Sequence, residues 1–151
     1  MRITTKGRYG LRAIINLART KHTRPVSIGS IASQENVSSE FLEQIFFKLK
    51  KAGLIRSIRG PGGGFVLNRT PGEISVQDIL EAVGETHGLI PCTLRRKATC
   101  DRAEACDAHD VWTGLQKTMD DYLMSVTLKD ILARSKKQMF AKLQAGQDFS
   151  I

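Results

Sequence analysis

The sequence predicts a mainly α fold with one small β-hairpin, namely a winged helix-turn-helix followed by a long helix. Three observations carry this. Apolar residues recur at helical spacing in three successive N-terminal segments. Two short β-branched or aromatic runs flanking a glycine-rich turn come directly after them. A stretch of about twenty residues further on returns to helical spacing. A chain of 151 residues with 41% hydrophobic content suits one compact unit with extensions.

From Thr5 to about Lys21, Leu11, Ile14, Ile15 and Ala18 follow the i, i+3, i+4, i+7 template with basic residues between them. After a break at Thr23 to Pro25, Ser27 can cap a short helix carrying Ile28, Ile31 and Ala32, and Asn36 marks a turn. Ser38 can cap a third helix in which Leu42, Ile45, Phe46 and Leu49 make one apolar face and Gly53 supplies the stop. Its other face carries Ser39, Glu40, Glu43, Gln44 and Lys48. Ile55 to Ile58 and Phe65 to Leu67 then read as a hairpin around Arg59-Gly60-Pro61-Gly62-Gly63-Gly64. Pro71 and Gly72 punctuate a boundary, and Ser75 can cap a helix with Val76, Ile79, Leu80 and Val83 inward.

Gly84 to about Asp107 shows neither period and holds every cysteine, and a loop of that length in a compact unit is uncommon unless it is functional. From about Asp107 to Val126 the apolar set Val111, Trp112, Leu115, Met119, Tyr122, Leu123 and Val126 is helical again. Thr127 can cap a last short helix through Leu128, Ile131 and Leu132, with a frayed polar tail from Arg134. With no apolar run long enough to span a membrane and no signal-peptide pattern at the start, the expected location is the cytosol.

Charge is unevenly spread. Residues 1–69 hold 13 Lys or Arg against 3 Asp or Glu, a net +10, while the remainder is close to neutral. A basic half of this kind is the footprint of a polyanion-binding module, because each cation on a phosphate releases a counterion. A helix that reads the major groove presents hydrogen-bonding side chains near its start while its other face is anchored in a core. The third helix meets that description: Gln44 can pair with an adenine edge and Glu43 can accept from cytosine, whereas Glu40 discourages close approach to phosphate. Arg59 at the wing tip suits a minor groove. Lys6, Arg8, Arg12, Lys48, Lys50, Lys51 and Arg56 read as phosphate contacts or as solvated charge. The GPGGG run lacks the Lys-Ser/Thr of a phosphate loop and precedes a strand, and no catalytic constellation can be placed in one site, so an enzyme is not expected.

Cys92-x7-Cys100-x5-Cys106-x2-His109 gathers three thiols and an imidazole into 18 of the 151 residues, in one irregular stretch. Three cysteines cannot pair fully as disulfides, and soft thiolates suit zinc or an iron–sulfur cluster. Structural zinc sites use closer knuckles, so the spacing favours a cluster. Arg95, Arg96, Lys97 and Arg102 would lower thiol pKa values, which leaves a thiol switch open, and a cluster carrier is the rival from another class.

The opening RITTKGRYGLRA, the stretch VSSEFLEQIFFKLKKAGLI, the wing SIRGPGGGFVL, the segment ISVQDILEAV and the motif C-x7-C-x5-C-x2-H-x2-W together resemble the IscR-like bacterial iron–sulfur regulators, a wider family that includes NsrR, RirA and CymR. The resemblance covers the chain to about residue 133. It implies a homodimer built on the long helix, cluster ligation by Cys92, Cys100, Cys106 and His109, and groove contacts from Ser38, Glu43, Gln44 and Arg59. It divides the chain into a DNA-binding region (1–70), a connecting helix and loop (71–91), a cluster-binding loop (92–109), a dimerisation helix and short helix (107–133) and a flexible tail (134–151). The first cysteine gap is seven residues, as in RirA, where IscR proteins usually have five. NsrR uses an acidic ligand near position 8; here that residue is Arg8, which favours a histidine-ligated [2Fe-2S] cluster over [4Fe-4S]. Glu40 replaces a smaller polar residue and so points to a different operator. The expected partner is double-stranded DNA carrying an imperfect palindrome, read by two recognition helices about 34 Å apart.

Overall fold

The structure, a computed structural model, describes residues 3–20, 24–85, 88, 93, 102 and 105–147, with side chains to residue 142. Among the described residues six helices and one hairpin succeed each other as α1 (Thr5–Arg19), α2 (Ile28–Glu35), α3 (Ser39–Lys51), β1 (Ile55–Ile58), β2 (Gly64–Leu67), α4 (Val76–Val83), α5 (His109–Ser125) and α6 (Leu128–Gln147). This is the mainly α, winged helix-turn-helix architecture that the sequence predicts. No helix among the described residues is long and apolar enough to cross a membrane.

Local chemistry fixes the helix starts. The hydroxyls of Ser27, Ser38 and Ser75 accept from the backbone N–H groups of Ser30, Phe41 and Asp78, three residues into each helix, and so satisfy donors that would otherwise be orphaned. Asn36 ends α2 in the left-handed conformation, with φ of 53°, a region that asparagine tolerates better than most residues. α3 stops at Ala52, and Gly53 (φ 73°) turns the chain into β1.

β1 and β2 pair antiparallel, with Ile55 opposite Leu67 and Ile58 opposite Gly64. Val26 extends this ribbon by one bridge, exchanging two backbone hydrogen bonds with Phe65 at 3.0 and 2.9 Å. The turn tolerates no side chain at Gly63, where a Cβ would collide with the Ile58 carbonyl and stand 2.8 Å from that of Gly60. Gly63 and Gly64, where a Cβ would meet the Val26 backbone, are therefore steric requirements of the wing, whereas Gly60 and Gly62 supply its positive φ angles.

The main core joins Ile14, Leu17, Ile31, Leu42, Ile45, Phe46, Leu49, Leu54 and Ile55 to Ile74, Ile79, Val83 and Leu128. Each such side chain contributes roughly 1.5–3 kcal/mol on burial. The helix-turn-helix and wing, together the head of the molecule, are thus completed by α4 and by the first residue of α6. Helices α1 and α4 cross closely, and a Cβ at Gly10 would lie 2.9 Å from Val83 Cγ1. A second cluster places Leu123 and Val126 against Val76 and Leu80, with Met119 at its edge. Backbone bonds from Val76 to Val126 (2.9 Å) and from Leu128 to Ile74 (3.0 Å) stitch the starts of α4 and α6 together.

One expectation is corrected. The last helix does not end near Leu132 with a tail beyond it; α6 runs twenty residues to Gln147. Residues 133–147 are rich in Ala, Lys, Gln, Met and Leu and lack proline, so intrinsic propensity continues the helix where apolar periodicity fades. Residues 71–73 also form a 3-10 turn, capped reciprocally by Thr70 and Glu73, where the sequence suggests only punctuation.

Candidate nucleic-acid interface and cysteine segment

α3 divides cleanly. Leu42, Ile45, Phe46 and Leu49 are buried, whereas Glu40, Glu43 and Gln44 are exposed on the opposite side and Ser38 is exposed at the cap. Arg59 stands exposed at the wing. The face chosen from helical period is therefore open to a partner. Because the Ser38 oxygen accepts from Phe41 N–H at 3.2 Å, its own proton is left to donate outward.

The basic residues separate by environment. Lys6, Arg8, Lys51 and Arg56 are exposed. Arg12 is held: its guanidinium pairs with Glu35 at 2.7 Å and lies 5.2 Å from the Tyr9 ring centre, and Tyr9 in turn meets Phe41 edge to face. Lys50 donates to Ser57 Oγ at 3.1 Å and fastens α3 to β1. Lys48, expected on the DNA side, is half-buried and donates to the Val83 carbonyl at 2.9 Å, closing the C-terminal end of α4 where cations are favoured.

Glu85 follows that end directly. Its carboxylate accepts from the backbone N–H groups of Gly7 (3.0 Å) and Thr4 (3.3 Å) and from the Thr4 hydroxyl, so it caps the N-terminus of α1 from across the fold. Sequence reasoning missed this residue because its partners lie some eighty positions away.

Glu85 also opens the cysteine segment. Cys92 and Cys100 lie outside the described residues. Thr93, next to Cys92, donates to the Gln116 side chain of α5 at 3.4 Å. Cys106 is a free, exposed thiol, and its carbonyl accepts from His109 N–H at 2.9 Å. His109 is the first residue of α5 and is half-buried. A thiol and an imidazole one turn apart, with neither sealed into the core, fit one edge of a cluster site. The segment thus touches α1 through Glu85, the middle of α5 through Thr93 and the start of α5 through Cys106.

The outer side of α5 is apolar and open. Val111, Leu115 and Tyr122 fall on one stripe at helical spacing and are 63%, 49% and 60% exposed, with Trp112 beside them at 40%.

The Rrf2 family, described as iron-dependent transcriptional regulators, matches residues 3–134. The chain is 36% identical over 148 residues to the HTH-type transcriptional regulator IscR of Erwinia tasmaniensis, covering 98% of this chain and 88% of that one. Among solved structures it is similar to CymR, the global cysteine regulator of B. subtilis (34% identity, TM-score 0.73, 89% of this chain and 98% of that one). It is also similar to T. potens IscR (33% identity, TM-score 0.71, 91% of this chain and 90% of that one). These relatives are regulators of transcription, not enzymes. With an exposed reading face on α3, a glycine-built wing and this match over nearly its whole length, the chain belongs to the Rrf2 family of transcriptional regulators and is IscR-like within it.

Proposed function

We propose that the chain is a homodimeric, sequence-specific DNA-binding regulator whose affinity responds to an iron–sulfur cluster held by Cys92, Cys100, Cys106 and His109. The observation that carries this reading is the cysteine segment's attachment. It begins at Glu85, which caps α1 of the reading head, and it ends at Cys106 and His109, which open α5. Three thiolates and one imidazole suit a [2Fe-2S] cluster, and Arg8 offers no acidic alternative to the histidine. When bound, such a cluster supplies an iron- and redox-sensitive cross-link among these four side chains.

The chain's own residues do the rest. Ser38, Glu40, Glu43 and Gln44 read base edges in the major groove, Arg59 enters the minor groove, and Lys6, Lys51 and Arg56 meet phosphates. Val111, Leu115 and Tyr122 pack against the same stripe of a second copy, setting two α3 helices about 34 Å apart over an imperfect palindrome. Ligation by all four residues would tie Cys92 and Cys100 to the start of α5, and its loss would loosen that link between Glu85 and α5.

The exposed Cys106 thiol supports a second reading, a cluster-free thiol switch. Absorption and Mössbauer spectra of anaerobically purified protein separate the two: a coloured [2Fe-2S] signature is expected, and colourless protein favours the thiol switch. Promoter-fragment binding by holo protein and by Cys92→Ala at fixed salt is expected to differ. Superimposable curves would refute cluster control.

A further inference from the structure

Phe47 sits in α3 with 69% of its surface exposed, the most exposed large apolar side chain among the described residues. The other two phenylalanines of this helix are accounted for: Phe46 is buried against Phe65 at a centroid distance of 4.9 Å, and Phe41 meets the Tyr9 ring at 5.8 Å. Phe47 touches neither cluster. Its position follows from helical spacing. It is three residues beyond Gln44, four beyond Glu43 and seven beyond Glu40, and so shares their open face; Lys50 and Lys51 come three and four residues later. The strip therefore runs from hydrogen-bonding groups, through one phenyl ring, to cations.

Leaving a phenyl ring in water forgoes most of the stabilisation that its burial would contribute. A neighbour in the bound state can supply the apolar contact. The major-groove edge of DNA offers one such group, the C5-methyl of thymine. Phe47 lies about 4.5–6 Å further along the helix than Gln44 and Glu43, a distance of one to two base steps of about 3.4 Å.

We infer that Phe47 is a specificity-determining residue that packs on the 5-methyl group of a thymine next to the base pair read by Gln44 and Glu43. This rests on α3 being the recognition helix. A hydrogen-bonding side chain at this position would distinguish bases by donors and acceptors; a phenyl ring distinguishes them by a methyl group alone. Thymine is therefore favoured over cytosine and over deoxyuridine at one position in each half-site.

The test uses the full-length protein purified without oxygen. The wild type first selects duplexes from a pool with a 30-base-pair random window. Each thymine of the recovered consensus is then replaced singly by deoxyuridine, and binding is measured by fluorescence anisotropy. We expect one symmetry-related pair of positions at which the exchange weakens wild-type binding about 3–10-fold. Phe47→Ala is expected to bind the thymine and deoxyuridine duplexes equally, and Phe47→Leu to retain part of the preference. Far-ultraviolet circular dichroism checks that each variant is folded, as its exposed site favours. Wild-type binding indifferent to every exchange, or an unchanged thymine preference in Phe47→Ala, would overturn the inference while leaving the recognition helix in place. Failure of the wild type to select any consensus would remove the recognition-helix reading and this inference with it. If Phe47→Ala changes the self-association of the DNA-free protein and leaves the thymine preference intact, the ring is covered by a second copy and the inference is wrong.

Discussion

Glu85 accepts a hydrogen bond from the backbone N–H of Gly7 at 3.0 Å, so the first turn of the reading head is held by the residue at which the cysteine segment begins. A carboxylate at a helix N-terminus is favoured by both the unpaired N–H groups and the helix dipole. Glu85→Ala is expected to lower unfolding stability by about 1 kcal/mol and to shrink the DNA-affinity difference between cluster-loaded and cluster-free protein. Urea melts and anisotropy titrations measure the two effects, and an undiminished difference would disconnect Glu85 from signalling.

The Lys48–Val83 bond leads to a different expectation for a cation on the recognition helix. A lysine neutralising a phosphate contributes about 0.9 to the slope of log affinity against log salt. Lys48→Met should leave that slope unchanged and lower stability by about 1 kcal/mol, because its donor closes α4. Lys51→Ala should reduce the slope and leave stability alone. A reduced slope for Lys48→Met would return this lysine to the DNA backbone.

The open stripe on α5 makes the proposed dimer sensitive to charge. Leu115 is 49% exposed in the single chain, so Leu115→Glu costs the isolated fold little and places a carboxylate in the middle of the packed stripe. Sedimentation velocity is expected to show a monomer with wild-type circular dichroism. DNA affinity should fall steeply because two half-sites can no longer be engaged together.

Two helix-start carboxyls give the fold an acid edge. Hydrogen bonds from Thr127, first from its side chain and then from its backbone, hold Asp130 below its ordinary pKa, and Thr70 does the same for Glu73. Each group therefore takes up protons more readily when unfolded. The stability they contribute is complete above the usual carboxylate range and drains away as pH falls through it. Carboxyl-carbon NMR should show Asp130 titrating below a reference aspartate, and Thr127→Ala should move it back up. An unshifted Asp130 in the wild type would contradict the capping geometry.

What was legible in the chain was what is local. Ser27, Ser38 and Ser75 announce their helices because a cap acts within three residues, and the α3 period separates Leu42 and Ile45 from Glu43 and Gln44 without any tertiary knowledge. The long α6 escaped because residues 136–142 are all exposed, with no buried face to impose a period. Lys48 and Glu85 were unreadable for another reason: their partners, Val83 and Gly7, are brought near only by the packing of α4 against α3 and α1. Phe47 could have been found, since it breaks the inward pattern of its own helix. Which groups would join Cys106 and His109 in the proposed cluster site is something no periodicity encodes.

Leu128 lies wholly buried in the same core as Ile14 and Leu42, and its amide is bonded to Ile74. During synthesis the N-terminal helices leave the ribosome with this slot open, and it can be filled only after the entire cysteine-bearing stretch has emerged. The nascent head therefore matures late, across a long loop closure. A truncated message that stops before residue 128 would yield an incomplete reading head rather than a competitor for the operator.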